Sequence, residues 1–118
     1  EKEYWAGAID TVGSTTLASA LAQTRREGVV AACGLAGGMD LPSSVAPFIL
    51  RGVTLRGIDS VMASQSRREA AWQRLADILD LNHLEEMSET VAMSALIQMG
   101  HKIVDGDIRG RVVVNVNQ

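Results

Sequence analysis

The chain has 118 residues, 47% of them apolar, 21% charged and 3% aromatic, which suits one globular domain or a piece of one and argues against disorder. Eleven Lys and Arg against fourteen Asp and Glu leave a net charge of −3, a balance that favours neither nucleic acid nor an anionic membrane as partner. The longest apolar run, Val29 to Met39, is too short to span a bilayer and is interrupted by glycines.

The first predicted element is a strand, WAGAIDTV from Trp5 to Val12, feeding a loop at Gly13. Ser14 stands where an N-cap belongs. Leu17, Ala18, Leu21 and Ala22 then recur at helical spacing, with Arg25 and Arg26 expected to close the last turn before Gly28. The unit repeats. Val29 to Cys33 is a continuous apolar strand, Gly34 to Gly38 is the loop after it, and Pro42 and Pro47 punctuate a short helical or irregular stretch holding Val45, Phe48, Ile49 and Leu50. A third strand is predicted from Val53 to Ile58. A helix follows from about Ser66 to Leu79, with Ala71, Leu75, Ile78 and Leu79 as its inner stripe. Strands that alternate with helices specify an α/β fold with a parallel sheet and crossovers.

After Leu81 the pattern changes, because Glu85, Glu86 and Glu89 dilute the apolar residues. A short strand is expected at Thr90 to Met93, a helix at Leu96 to Val104 around Gly100, a turn at Asp105, Gly106 and Asp107, and a closing strand at Val112 to Val116. Neither a repeat of fixed period nor a low-complexity tract is present.

Little of the usual chemistry of sites is visible. Cys33, His83 and His101 lie far apart without metal-ligand spacing, so a zinc site is not expected. His83 reads as a solvated loop residue and His101 as a helix-surface residue. Cys33, in an apolar strand with no basic neighbour, reads as a buried and inert thiol. A single cysteine makes no internal disulfide, and with no secretory apolar stretch at the start a reducing cytoplasmic setting is expected. Opening on Glu1 rather than Met marks the chain, as an expectation, as a processed product or a fragment. Neither G-x-x-x-x-G-K-[ST] nor G-x-G-x-x-G occurs. What remains are two strand ends followed by small residues, DTVGS and CGLAGG. Such ends are where ligands lie in open α/β sheets, and they serve equally as ordinary tight connections.

Four segments carry a more specific signal: WAGAIDTVG (Trp5 to Gly13), VAACGLAGG (Val30 to Gly38), PFILRGVTLRGIDS (Pro47 to Ser60) and IRGRVVV (Ile108 to Val114). Together they resemble the C-terminal part of a zinc-free medium-chain dehydrogenase/reductase, of the quinone oxidoreductase group (YhdH/YhfP type) that includes acrylyl-CoA reductase. The resemblance implies the second half of a Rossmann domain, a doubly wound parallel sheet that binds NADP, over residues 1–81. It implies a segment returning to the catalytic, GroES-like domain over 82–118. The glycine-rich dinucleotide loop and most of the substrate pocket would lie upstream, so this piece is not expected to catalyse alone. The implied cofactor is NADPH and the implied substrate a small molecule, an α,β-unsaturated thioester or a quinone. The implied partner is a second copy, paired through the edge of strand 53–58.

The same resemblance assigns residues one at a time. Thr11 and Val12 match the strand end beside the cofactor's ribose and nicotinamide. Gly34, Leu35 and Ala36 match the loop lining the nicotinamide, and Ile58, Asp59 and Ser60 match backbone near its carboxamide. Arg111 matches a basic residue near the pyrophosphate, for which a guanidinium suits in shape and charge. Each has a plainer reading. Thr11 serves as a turn hydrogen-bonder, Leu35 as a core plug, Asp59 as a loop cap and Arg111 as a solvated strand residue, the last with Asp105 and Asp107 nearby in sequence. On the residues alone, a self-contained α/β binding module without catalysis, or a structural domain, stays open beside the oxidoreductase.

Overall fold

The structure, a computed structural model, describes residues 2–118. The chain divides into two compact units, the first running to Ser64 and the second Gln65–Gln118. The division expected between residues 81 and 82 falls inside the second unit.

In the first unit β1 (Trp5–Asp10), α1 (Ser14–Gln23), β2 (Thr24–Ala32), α2 (Ala46–Arg51) and β3 (Thr54–Gly57) follow one another. The strands are parallel and stand in chain order, β1-β2-β3, with Ala8 beside Val30 and Val30 beside Leu55. Parallel neighbours need a crossover, which α1 supplies for the first pair and the stretch holding α2 for the second. The apolar spacing noted in the sequence sends Leu17 and Leu21 inward, where they meet Val30 and Val53; Phe48 of α2 and Leu55 pack against this cluster. Leu21 and Val30 are fully buried, each contributing on the order of 2 kcal/mol of apolar transfer.

Both ends of α1 differ from expectation. Ser14 is its first residue rather than its cap, and it sits at φ 48° behind Gly13 at φ 76° with no side-chain cap. A carboxylate already serves the turn: the Gly13 N–H donates to Asp10 Oδ2 at 2.8 Å. At the other end the helix stops at Gln23, before the arginines. Thr24 turns extended (ψ 135°), is fully buried, and donates its hydroxyl to the Ala20 carbonyl at 2.7 Å. Arg25 and Arg26 therefore fall in β2, where Trp5 faces Thr24 but Gly7 faces Val29, so that extra residues loop out at Glu27 (φ 61°). Cys33 is exposed, not buried. It stands one residue past the end of β2, where the sheet's layers no longer cover it.

The second unit contains α3 (Gln65–Ile78), α4 (Leu81–Glu86), β4 (Ser88–Ala92), α5 (Leu96–Val104) and β5 (Arg111–Asn115). β4 and β5 pair in parallel, with Thr90 beside Val113, and α5 is their crossover. Asp80 caps α4 by accepting the Asn82 N–H at 2.9 Å, an element that the acidic run had hidden. His83 lies within this helix instead of a loop, largely exposed. The expected stripe on α3 is not an inner one, since Ala71, Leu75, Ile78 and Leu79 are all exposed. An apolar stripe marks the face a helix can bury, but a covering layer must come from elsewhere. No helix among the described residues is long and apolar enough to cross a membrane.

Candidate functional site

The carboxyl ends of the first unit's strands converge on one place. Ala32 at the end of β2, with Cys33, Gly34 and Leu35 past it, forms one wall of an open cleft of about 540 Å³; Gly57 at the end of β3, with Ile58 and Asp59 past it, forms the other. The walls are joined at the base, where the Ile58 N–H donates to the Ala32 carbonyl at 2.9 Å. Beyond the ends of parallel strands the chain has left the ladder, and loops diverge around a crevice.

Sequence shapes each wall. After β1, Thr11 and Val12 turn their carbonyls to the neighbouring loop: Thr11 O accepts from Ala36 N at 3.3 Å and Val12 O from Gly37 N at 2.7 Å. The two loops lie so close at Gly34 that a Cβ there would stand 2.5 Å from the Thr11 carbonyl oxygen. Glycine is required for this approach. The Leu35 carbonyl then accepts from Gly38 N at 3.1 Å, which closes the loop and leaves the Leu35 side chain 59% exposed.

On the other wall Ile58 is exposed and Asp59 turns its carboxylate into its own loop, accepting from the N–H groups of Val61 and Met62 at 3.1 and 3.0 Å. That is the plainer reading of Asp59, a loop cap, and it keeps the negative charge engaged locally. Ser60 follows, exposed, outside the cleft lining.

Eight of the nine residues singled out from sequence thus fall in two adjoining groups at strand ends of one unit. Thr11, Val12, Gly34, Leu35 and Ala36 are linked by backbone hydrogen bonds and close approach; Ile58, Asp59 and Ser60 follow β3. Arg111 opens β5 in the second unit, its side chain exposed and its N–H donating to the Met87 carbonyl at 2.8 Å. Three lining residues lie outside that set, Ala32, Cys33 and Gly57. The rule that ligands lie beyond strand ends could have found all three, since each lies at or beside a predicted strand terminus.

No family model matches the chain. The class is set by solved structures: this parallel α/β arrangement matches the C-terminal part of Rossmann-type medium-chain dehydrogenases/reductases. The crystal structure of Escherichia coli YhdH with bound NADPH aligns with a TM-score of 0.78 and 48% identity, over 97% of this chain and 35% of that one. Bacillus subtilis YhfP with NAD bound gives 0.76 and 39%, over 98% and 36%. Among curated proteins, acrylyl-CoA reductase AcuI of Ruegeria pomeroyi is 49% identical over 117 residues, 99% of this chain and 36% of that protein. The resemblance to the YhdH/YhfP type is thereby shown for nearly the whole chain, which spans about 36% of the length of the curated relatives it matches.

Proposed function

We propose that this chain forms the nicotinamide side of an NADPH-dependent oxidoreductase, and that residues 1–81 complete a Rossmann domain while 82–118 return to the catalytic domain. The observation that carries it is the cleft itself, set at strand ends and lined in part by Gly34, Leu35, Ile58 and Asp59, which the family resemblance assigns to the cofactor. The cleft fits a flat ring. Gly34 and Gly57 put bare backbone on opposite walls, Leu35 and Ile58 offer apolar contact, and the Asp59 carboxylate is held in its own loop. Bound NADPH would supply hydride to an α,β-unsaturated carbonyl, as in an acrylyl-CoA-like thioester, or to a quinone.

The chain's own residues would bind and orient the ring. Gly34, Leu35 and Ala36 present loop backbone to it, Ile58 to Ser60 present the opposite backbone, and Thr11 and Val12 border the ribose. Arg111 is assigned to the pyrophosphate by resemblance alone. Support for the cofactor comes from YhdH, crystallised with NADPH, and for the substrate from the name of AcuI. The edge of β3 is proposed to pair with a second copy of itself.

The full-length protein tests this reading. NADPH oxidation, followed by absorbance, is expected with acrylyl-CoA or a quinone, and its absence with both overturns the activity. The 118-residue chain alone is expected to bind NADPH far more weakly than the full-length protein, because a glycine-rich loop at a helix N-terminus supplies the main pyrophosphate contacts. Micromolar binding to the chain alone, measured by calorimetry, would contradict that division of labour.

A further inference from the structure

We infer that Asp10 is a positioning residue for the nicotinamide wall, acting through the turn it closes and the loop that this turn supports. The inference rests on the cofactor reading above. Asp10 is 5% exposed, one of two buried polar or charged residues among those described, and it serves two loops at once. Its backbone carbonyl accepts the Cys33 N–H at 2.8 Å, the last link between β1 and the start of the second loop, with the Cys33 thiol 3.5 Å from the same oxygen. Its side chain accepts the Gly13 N–H and so folds residues 10–13 into a turn.

That turn has little else to fix its shape from within. Gly13 and Ser14 both lie at positive φ, a conformation that needs outside support when one of the pair is not glycine. Gly13 is also buried, so its N–H would lose its partner without gaining water if the carboxylate were removed. The turn fixes where the Thr11 and Val12 carbonyls point, and these hold Ala36 N and Gly37 N. Gly13 and Gly38 meet in an isolated bridge that closes the same assembly. A single carboxylate thus sets the path of the loop carrying Leu35, although Asp10 does not line the cleft.

The role needs an acceptor oxygen at this position, not a charge, and asparagine supplies one. In the full-length protein, Asp10→Ala is expected to weaken NADPH binding about tenfold, the equilibrium equivalent of one buried hydrogen bond, while Asp10→Asn stays within about twofold. Thr24→Val is the control. It removes a buried side-chain hydrogen bond at the far end of α1 and should lower stability without moving the dissociation constant.

Titration by NADPH fluorescence reads all three. Binding by Asp10→Ala equal to that of Thr24→Val overturns the inference, as does Asp10→Asn binding no better than Asp10→Ala. If Asp10→Ala does not fold, amide hydrogen exchange in the unsubstituted protein decides. Gly13, Ala36 and Gly37 should slow together on adding NADPH, and slowing of Ala36 and Gly37 without Gly13 would overturn the coupling. Failure of the unsubstituted protein to bind NADPH removes the cofactor reading and this inference together, which separates that failure from the failure of Asp10 alone.

Discussion

The two units apply the same rule to different effect. Each joins parallel strands through a helical crossover, β1 to β2 through α1 in the first and β4 to β5 through α5 in the second. In the first unit β2 has a neighbour on both sides, and Val30 at its centre is fully buried against Leu21. In the second unit the sheet has two strands and therefore no central one, and no described residue is buried. Ile97 and Val104 of α5 are 78% and 85% exposed. Local pattern is enough to make strand, helix and parallel pairing, whereas a core needs a third strand and a covering layer.

The sharpest test of this contrast compares one truncation in each unit. In the chain as it stands, Leu21→Ala should cost about 2–5 kcal/mol because it leaves a cavity in the only buried cluster described. Ile103→Ala, at a position 59% exposed, should cost no more than about 0.5 kcal/mol. Urea unfolding followed by circular dichroism measures both, and equal costs would show that the second unit has a core of its own.

Gly34→Val probes the strand-end region of the first unit. Its Cβ would press on the Thr11 carbonyl, so the full-length protein should lose NADPH affinity by more than about tenfold, roughly 1.4 kcal/mol or above. Leu35→Asp should act at the same wall with the fold intact, raising the apparent KM for NADPH by placing a carboxylate where the ring would lie. Unchanged steady-state kinetics for Leu35→Asp would mean that this loop does not border the cofactor.

The open edge of the first unit's sheet is the next target. The Ile58 N–H points to β2, so strand alternation turns the backbone groups of Leu55 and Gly57 toward the free side of β3. The chain is therefore expected to self-associate at micromolar concentration, and Leu55→Pro should abolish this by removing an outward donor. Sedimentation equilibrium reads the result; a dimer that survives the substitution must use another surface.

The smallest effect expected is at Arg51, whose guanidinium donates to the Ala22 carbonyl at 3.0 Å and lies 3.6 Å from Glu3. Arg51→Met should cost about 1 kcal/mol, mostly through the carbonyl, since an ion pair to a half-exposed glutamate contributes little.

Most of the element order could be read from the sequence, because Leu17, Leu21, Val30 and Leu55 follow the periods of helix and strand without conflict. The helix from Leu96 to Val104 was legible to the residue, bounded by the Asp105-Gly106-Asp107 turn. The structure departs from the sequence pattern where a competing local interaction wins. Arg25 and Arg26 resemble a helix end, but Thr24 stops the helix first through its bond to Ala20. Ser14 resembles a cap, yet Asp10 reaches the turn from the preceding strand. The acidic run at Glu85 and Glu86 concealed α4 because its start is signalled by Asp80 alone.

The candidate site was legible as two strand ends, since the small residues in DTVGS and CGLAGG advertise close backbone approach. Their assignment to a cofactor came from resemblance, because neither loop contains a phosphate motif. Cys33 reads as buried from its apolar sequence neighbours but is exposed, since such neighbours do not show that a residue lies just past the last rung of a ladder.

The stepwise order of the first sheet also bears on biosynthesis. Each strand lies beside the one made just before it, so a chain emerging from the ribosome N-terminus first never has to thread a late strand between two that are already paired. β2 can dock on β1 once α1 has formed, and β3 can dock on β2 about two dozen residues later. Closure distances stay short throughout, which keeps the entropic cost of each addition low. Growth in this direction extends the sheet on the β3 side, and any neighbour for β1 supplied by upstream sequence would already have been synthesised when β1 appears.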